Sequence, residues 1–120
     1  MLSRLIRDHM TAPRNQGDME APDGVGQVVG PVCGDAIAMR IKVSEGRIVE
    51  ARFTTYGCWA AVAVCSLITE TVRGGRLEAA LKLDGTELAR REGLPEDKTA
   101  CAELAVEALH RAVRDCRPEK

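Results

Sequence analysis

Between Ala36 and Thr55 the chain twice alternates apolar with polar residues, with a break at Ser44-Glu45-Gly46-Arg47. In the first run Ile37, Met39, Ile41 and Val43 fall on one side and Arg40 and Lys42 on the other. In the second, Val49, Ala51, Phe53 and Thr55 oppose Glu50, Arg52 and Thr54. A period of two belongs to a strand with one face buried, and turn residues between two such runs predict an antiparallel pair. Gln27 to Val32 reads as a further short strand. A sheet of this size with one apolar face is not stable uncovered, so the rest of the chain must close over it.

Helical patterns supply the cover. Leu2, Leu5, Ile6, His9 and Met10 recur at steps of three and four and stop at Ala12-Pro13. Cys58 to Val72 is too long for an ordinary strand and ends at Gly74-Gly75. Despite its β-branched residues it reads as a helix, apolar on nearly every side and therefore buried. Arg76 to Leu83 and Thr86 to Glu92 read as two shorter helices, the second with Thr86 as N-cap. In Thr99 to Arg114, Cys101, Leu104, Ala105, Ala108, Leu109 and Ala112 make one stripe. Arg14 to Gly26 shows little periodicity and reads as an extended loop, a lid or docking segment. The expected class is α+β, a three-stranded antiparallel sheet covered by helices, in one domain over residues 1–120.

Composition removes several functions. A formal net charge of -1 and a single Trp, Tyr and Phe offer neither the field nor the stacking surface that nucleic acid requires. No stretch approaches the length of a membrane span, and Met1 to Met10 carries Arg4, Arg7 and Asp8 where a secretory signal would be apolar. The expected location is the cytoplasm, where thiols stay reduced. The five cysteines then point to metal or sulfur chemistry and away from structural bridges.

Three of these cysteines stand at element ends: Cys33 in Val32-Cys33-Gly34-Asp35, Cys58 in Tyr56-Gly57-Cys58, and Cys101 in the first turn of the last helix. Helix N-termini favour a thiolate, the form that binds metal or attacks sulfur. Gly34 and Gly57 either admit close approach to the thiols or simply serve turns. Asp35 projects to the same side as Cys33 if the segment is extended, which makes it a candidate ligand. Cys65 lies roughly 10 Å along the helix from Cys58 and reads as a core residue. Cys116 belongs to a polar tail remote from Cys101. His9 reads as packing or surface and His110 as surface.

These residues identify a family by resemblance. Asp8-His9, Pro13-Arg14-Asn15 and Gly17, then Cys33-Gly34-Asp35, then Arg52-Phe53 with Thr55-Tyr56-Gly57-Cys58, resemble successive motifs of NifU/IscU-type iron-sulfur cluster assembly scaffolds. Ser66-Leu67 with Thr69-Glu70 continues the second block, and Leu94-Pro95, Lys98 and Cys101-Ala102 occupy the third. The resemblance implies the SufE/NifU-like fold and a carrier role with no turnover on a small substrate. It implies that Cys33, Asp35, Cys58 and Cys101 hold iron and a transient [2Fe-2S] cluster, or zinc in the apo form. Cys101 is then the sulfur acceptor and Lys98 an assisting charge. The implied partners are a cysteine desulfurase, apo iron-sulfur acceptor proteins and an Hsp70-type chaperone, with the scaffold itself a monomer or homo-oligomer.

The chain departs from the family pattern in three places. Ala100 stands where typical scaffolds carry a histidine, leaving Asp35 as fourth ligand unless a partner, solvent or a rearranged Cys65 supplies one. Leu94-Pro95-Glu96-Asp97-Lys98 keeps only the edges of the chaperone-binding segment. Trp59 to Cys65 replaces a small, serine-rich run, and Trp59 either shields a cluster from water or anchors its helix. A zinc-dependent sulfur transferase is the second reading, although the span from Cys58 to Cys101 is too short for the insertion such proteins carry. A structural zinc module is the third.

Overall fold

Strands β1 (Gly24–Val29), β2 (Ala36–Ser44) and β3 (Arg47–Tyr56) pair antiparallel in the order β1-β2-β3 in the computed structural model, which describes residues 1–30 and 36–116. Five helices accompany them: α1 (Arg4–Thr11), α2 (Trp59–Val72), α3 (Leu77–Ala80), α4 (Gly85–Glu92) and α5 (Thr99–Asp115). α2 and α5 pack on the sheet and on each other, α1 packs on α2, and α4 packs on α5. The apolar face of the sheet, with Ile37, Met39, Ile41, Ala51 and Phe53, is fully enclosed in one core with Val64, Ile68 and Leu109. Among the described residues no helix is long and apolar enough to cross a membrane.

The β2–β3 turn follows from its residues. Glu45 and Gly46 both take left-handed backbone angles, φ 52° and 76°, as a two-residue hairpin turn demands. The alternation of β3 breaks beside it. Lys42 pairs with Glu50 but Val43 with Ile48, so Val49 is the extra residue of a bulge. Ile48 is therefore buried and Val49 half exposed, the reverse of the strict alternation expected from sequence, because one inserted residue flips every side chain on its far side.

β1 starts at Gly24, three residues before the expected strand and inside the expected loop. The reason is the seat of α5. A Cβ on Gly26 would lie 2.0 Å from the Ala108 carbonyl oxygen, and one on Gly24 would lie 2.1 Å from that of Ala112. These glycines read as loop punctuation in the sequence, yet they let helix backbone rest on strand backbone. At the strand's outer edge Val25 N–H donates to Asp115 and Arg111 donates to the Gln27 carbonyl, both at 2.9 Å. The preceding segment is tied to the edge of β3. Gly17 N–H donates to the Phe53 carbonyl (2.8 Å), Phe53 N–H donates to that of Asn15 (3.0 Å), and Met19 is buried.

The short helices differ in detail from expectation. α3 is a single turn, shorter than Arg76 to Leu83. α4 is capped by Asp84, which accepts from the N–H groups of Thr86 (2.9 Å) and Glu87 (3.2 Å). Thr86 lies inside the helix and donates its hydroxyl to Glu103.

Gly26→Ala is expected to lower stability by about 1–3 kcal/mol, since neither backbone can retreat without strain. An unchanged urea midpoint would contradict the seating of α5. A second expectation concerns His9, which is fully buried with Nδ1 2.6 Å from Ser66 Oγ. Burial first, and the Arg14 charge second, hold its pKa below the ordinary 6.5. The folded imidazole stays neutral where the unfolded one takes a proton, so stability falls as pH drops below about 6.5, by up to ~1.4 kcal/mol per pH unit. Urea midpoints measured between pH 7.5 and 5.5 should fall in the wild type and fall less in His9→Gln.

Candidate functional site

Two of the three cysteines singled out in the sequence meet at one end of the sheet. β3 ends at Tyr56, Gly57 follows, and Cys58 is the N-cap of α2 with extended backbone (φ -81°, ψ 171°). Its carbonyl accepts from Ala61 N–H, and its side chain makes no capping bond, so the helix begins without committing the sulfur to its own backbone. Cys101 enters from the other direction. The turn Glu96–Lys98 leads into α5, and Cys101 is the third residue of that helix. The two sulfur atoms are 3.5 Å apart although 43 residues separate them in sequence. Cys101 is fully buried and Cys58 only partly so.

Cys33 and Asp35 lie outside the described residues. What flanks them is clear: Val29 pairs with Ala36, and Ala36 pairs with Tyr56. Both anchors of the 31–35 connection therefore stand at the sheet end from which Cys58 departs. Among the described residues no group of three or more His, Cys, Asp or Glu side chains is arranged to hold a metal ion. The described part of the site is the thiol pair, a donor type suited to zinc, iron or sulfur.

The other candidates separate cleanly. Cys65 is fully buried in the core. Cys116 packs at the far end of α5, where its thiol approaches the Ala112 carbonyl, and burial followed by the charges of Asp23 and Asp115 raises its pKa. His110 is less exposed than expected, with Nε2 3.2 Å from the Ala80 carbonyl oxygen. Lys98 closes the turn before α5, three residues from Cys101, and Ala100 is exposed. Trp59 is 40% exposed and Tyr56 85% exposed, so two of the chain's three aromatic side chains flank Cys58 in contact with solvent. Tyr56 also borders a cavity of about 270 Å³ on the sheet, with Val29, Ala36, Ala38 and Thr54.

Residue-by-residue reading of the sequence missed the polar clasp behind the site. Ser3 N–H donates to the Glu92 carbonyl (2.9 Å), tying the N-terminus to α4. Ser66 Oγ on α2 receives Arg14 N–H (2.8 Å) and contacts His9, while Asn15 donates to Thr69 (3.2 Å). His9 Nε2 and the Arg14 guanidinium both face Glu70, at 3.4 and 3.9 Å. The segment before β1 thus bridges α4, which packs on the helix of Cys101, and α2, whose N-cap is Cys58. The signal was present as two separate motif blocks, Asp8-His9 with Pro13-Arg14-Asn15 and Ser66 with Thr69-Glu70. Nothing in either block announces that they touch.

Comparison with known proteins gives the family and the fold. Residues 2–120 match the family described as NifU-like N terminal domain. The chain is 45% identical over 116 residues to "Iron-sulfur cluster assembly scaffold protein IscU 1" of Archaeoglobus fulgidus, covering 96% of this chain and 76% of that protein. It is 44% identical over 119 residues to "Iron-sulfur cluster assembly scaffold protein IscU" of Azotobacter vinelandii, covering 96% and 93%. Among solved structures, a nitrogen-fixing NifU-like protein (N-terminal) from Brucella abortus superposes with a TM-score of 0.75 at 19% identity, covering 94% of this chain and 92% of that one. At that identity the likeness speaks for the fold.

Trp59 is the only tryptophan and is bonded directly to Cys58, so it reports on that thiol. Anaerobic titration with Co(II) is expected to quench its emission and to raise a thiolate-to-cobalt absorption band together with the quenching. Emission that stays constant while the band grows would place the metal away from Cys58.

Proposed function

The chain belongs to the NifU-like N-terminal domain family, and on that premise we propose that residues 1–120 form one scaffold domain for iron-sulfur cluster assembly. The observation that carries this reading is the 3.5 Å approach of the Cys58 and Cys101 sulfur atoms at the sheet end that also anchors the segment bearing Cys33 and Asp35. The cluster is cargo. Cys33, Cys58 and Cys101 supply thiolates and Asp35 a carboxylate, a set poorer in soft donors than four thiolates, which favours release. Zinc occupies the same donors in the cluster-free scaffold.

Sulfur comes from a cysteine desulfurase as a persulfide. Cys58, the more exposed thiol, is the first to meet it. Cys101 is the acceptor that retains the sulfur out of water, with Lys98 as the nearby positive charge. The product is a transient [2Fe-2S] cluster handed to apo-acceptor proteins in the cytoplasm. The acidic pair Glu96-Asp97 weakens capture by an Hsp70-type chaperone.

Anaerobic reconstitution with iron, a desulfurase and cysteine tests the proposal. A [2Fe-2S] spectrum that moves to apo-ferredoxin is expected. Persulfide on the protein with no cluster would favour a zinc-dependent sulfur transferase instead. Cys33→Ser, Cys58→Ser and Cys101→Ser should each abolish stable cluster binding, whereas Cys116→Ser, at the other end of α5, should load normally. Asp35→Ala is expected to change cluster lifetime and slow transfer, and wild-type kinetics in that variant would remove Asp35 from the ligand set.

A further inference from the structure

We propose that Cys58 and Cys101 act as a redox dithiol that converts persulfide sulfur to sulfide inside the scaffold. The proposal rests on the scaffold reading and deepens it. Sulfur in a persulfide stands at the oxidation level of the element, while the cluster contains sulfide, so each sulfur must gain two electrons before it is built in. Two thiols that join in a disulfide release two electrons.

The geometry suits this step. The Cys58 sulfur sits 3.5 Å from the Cys101 sulfur, in contact with the inner atom of any persulfide carried on Cys101. A disulfide needs about 2.05 Å, so closure takes a movement of about 1.4 Å, within reach of side-chain rotation. Attack by the Cys58 thiolate on the Cys101 sulfur forms the Cys58–Cys101 bond and breaks the bond between Cys101 and the outer sulfur. The electron pair of the broken bond leaves with that outer sulfur as hydrosulfide. One thiolate and one persulfide become one disulfide and one hydrosulfide, balanced in atoms, charge and electrons. The burial of Cys101 keeps outside thiols from competing for the persulfide, and the partial exposure of Cys58 lets a protein dithiol of thioredoxin type reduce the disulfide afterwards.

The competing reaction, attack on the outer sulfur, only exchanges the persulfide between the two cysteines and makes no sulfide. The two routes therefore differ in product. Carrier use of the thiols requires exchange alone, whereas the dithiol role requires release.

Reduced protein is loaded with inorganic tetrasulfide under argon, freed of excess by gel filtration, and held without iron or reductant. The wild type is expected to release hydrosulfide in proportion to the loss of persulfide, at a rate unchanged by dilution. Peptide mapping should show a new link between Cys58 and Cys101. Cys58→Ser should keep its persulfide on Cys101 and release sulfide at least about tenfold more slowly, and Cys58→Ala should behave alike. Persulfide that persists in the wild type, a link that maps to another pair, or release from the Cys58 variants at the wild-type rate would each overturn the proposal. Because no iron is present, such a failure leaves the scaffold reading standing. That reading falls only if reconstitution gives no cluster.

Discussion

The close seat of α5 on β1 sets the position of everything else. Gly24 and Gly26 carry no side chain where the carbonyls of Ala112 and Ala108 arrive, so the helix lies against the strand at backbone contact. Of its buried residues, Ala102, Ala105, Ala108 and Ala112 are alanine, interspersed with Cys101, Val106, Leu109 and Val113, and the alanines let the helix come close. Cys101 is seven residues before Ala108, roughly 10 Å along the axis, so the height of its sulfur relative to the sheet is set by that seat. A core with one aromatic side chain, Phe53, depends on this closeness, because small residues gain their dispersion energy only when backbones approach.

The clasp formed by residues 1–17 fixes the second coordinate. α2 is apolar almost all round and offers few directional contacts of its own, with Ser66, Thr69 and Glu70 as its polar handles on the α1 side. His9, Arg14 and Asn15 engage those handles, while Ser3 engages Glu92 on α4. Buried polar groups are costly unless partnered and specific when they are. The network therefore ties α2, which follows Cys58, to α4, which packs on the helix of Cys101. The clasp lies outside the site, so it positions the helix that carries Cys58 without using either thiol.

Some of this was legible in the residues. The alternation of Ile37, Met39 and Ile41, the turn at Glu45-Gly46, and the long apolar run after Cys58 all specify their elements locally, and the structure has them. The start of β1 was not legible, because glycines that admit a helix look the same in sequence as glycines that end a strand. The inward turn of Ile48 was hidden too. A bulge at Val49 leaves no mark in a run whose members are all plausible strand residues. The core position of Cys65 follows from its spacing to Cys58, whereas the burial of His9 depends on Ser66, a contact 57 residues away that no local pattern announces.

By itself the chain determined its local periods, its turn chemistry, the kind of donor atoms it carries and the family it belongs to, because these depend on residue types and short spacings. Tertiary structure alone decided that Cys58 and Cys101 touch, that one is enclosed and the other open, and that two distant polar motifs close into a clasp. Those facts depend on how near α5 can come to the sheet. That nearness is a long-range steric property, set by glycines and alanines whose effect is felt only when the elements meet.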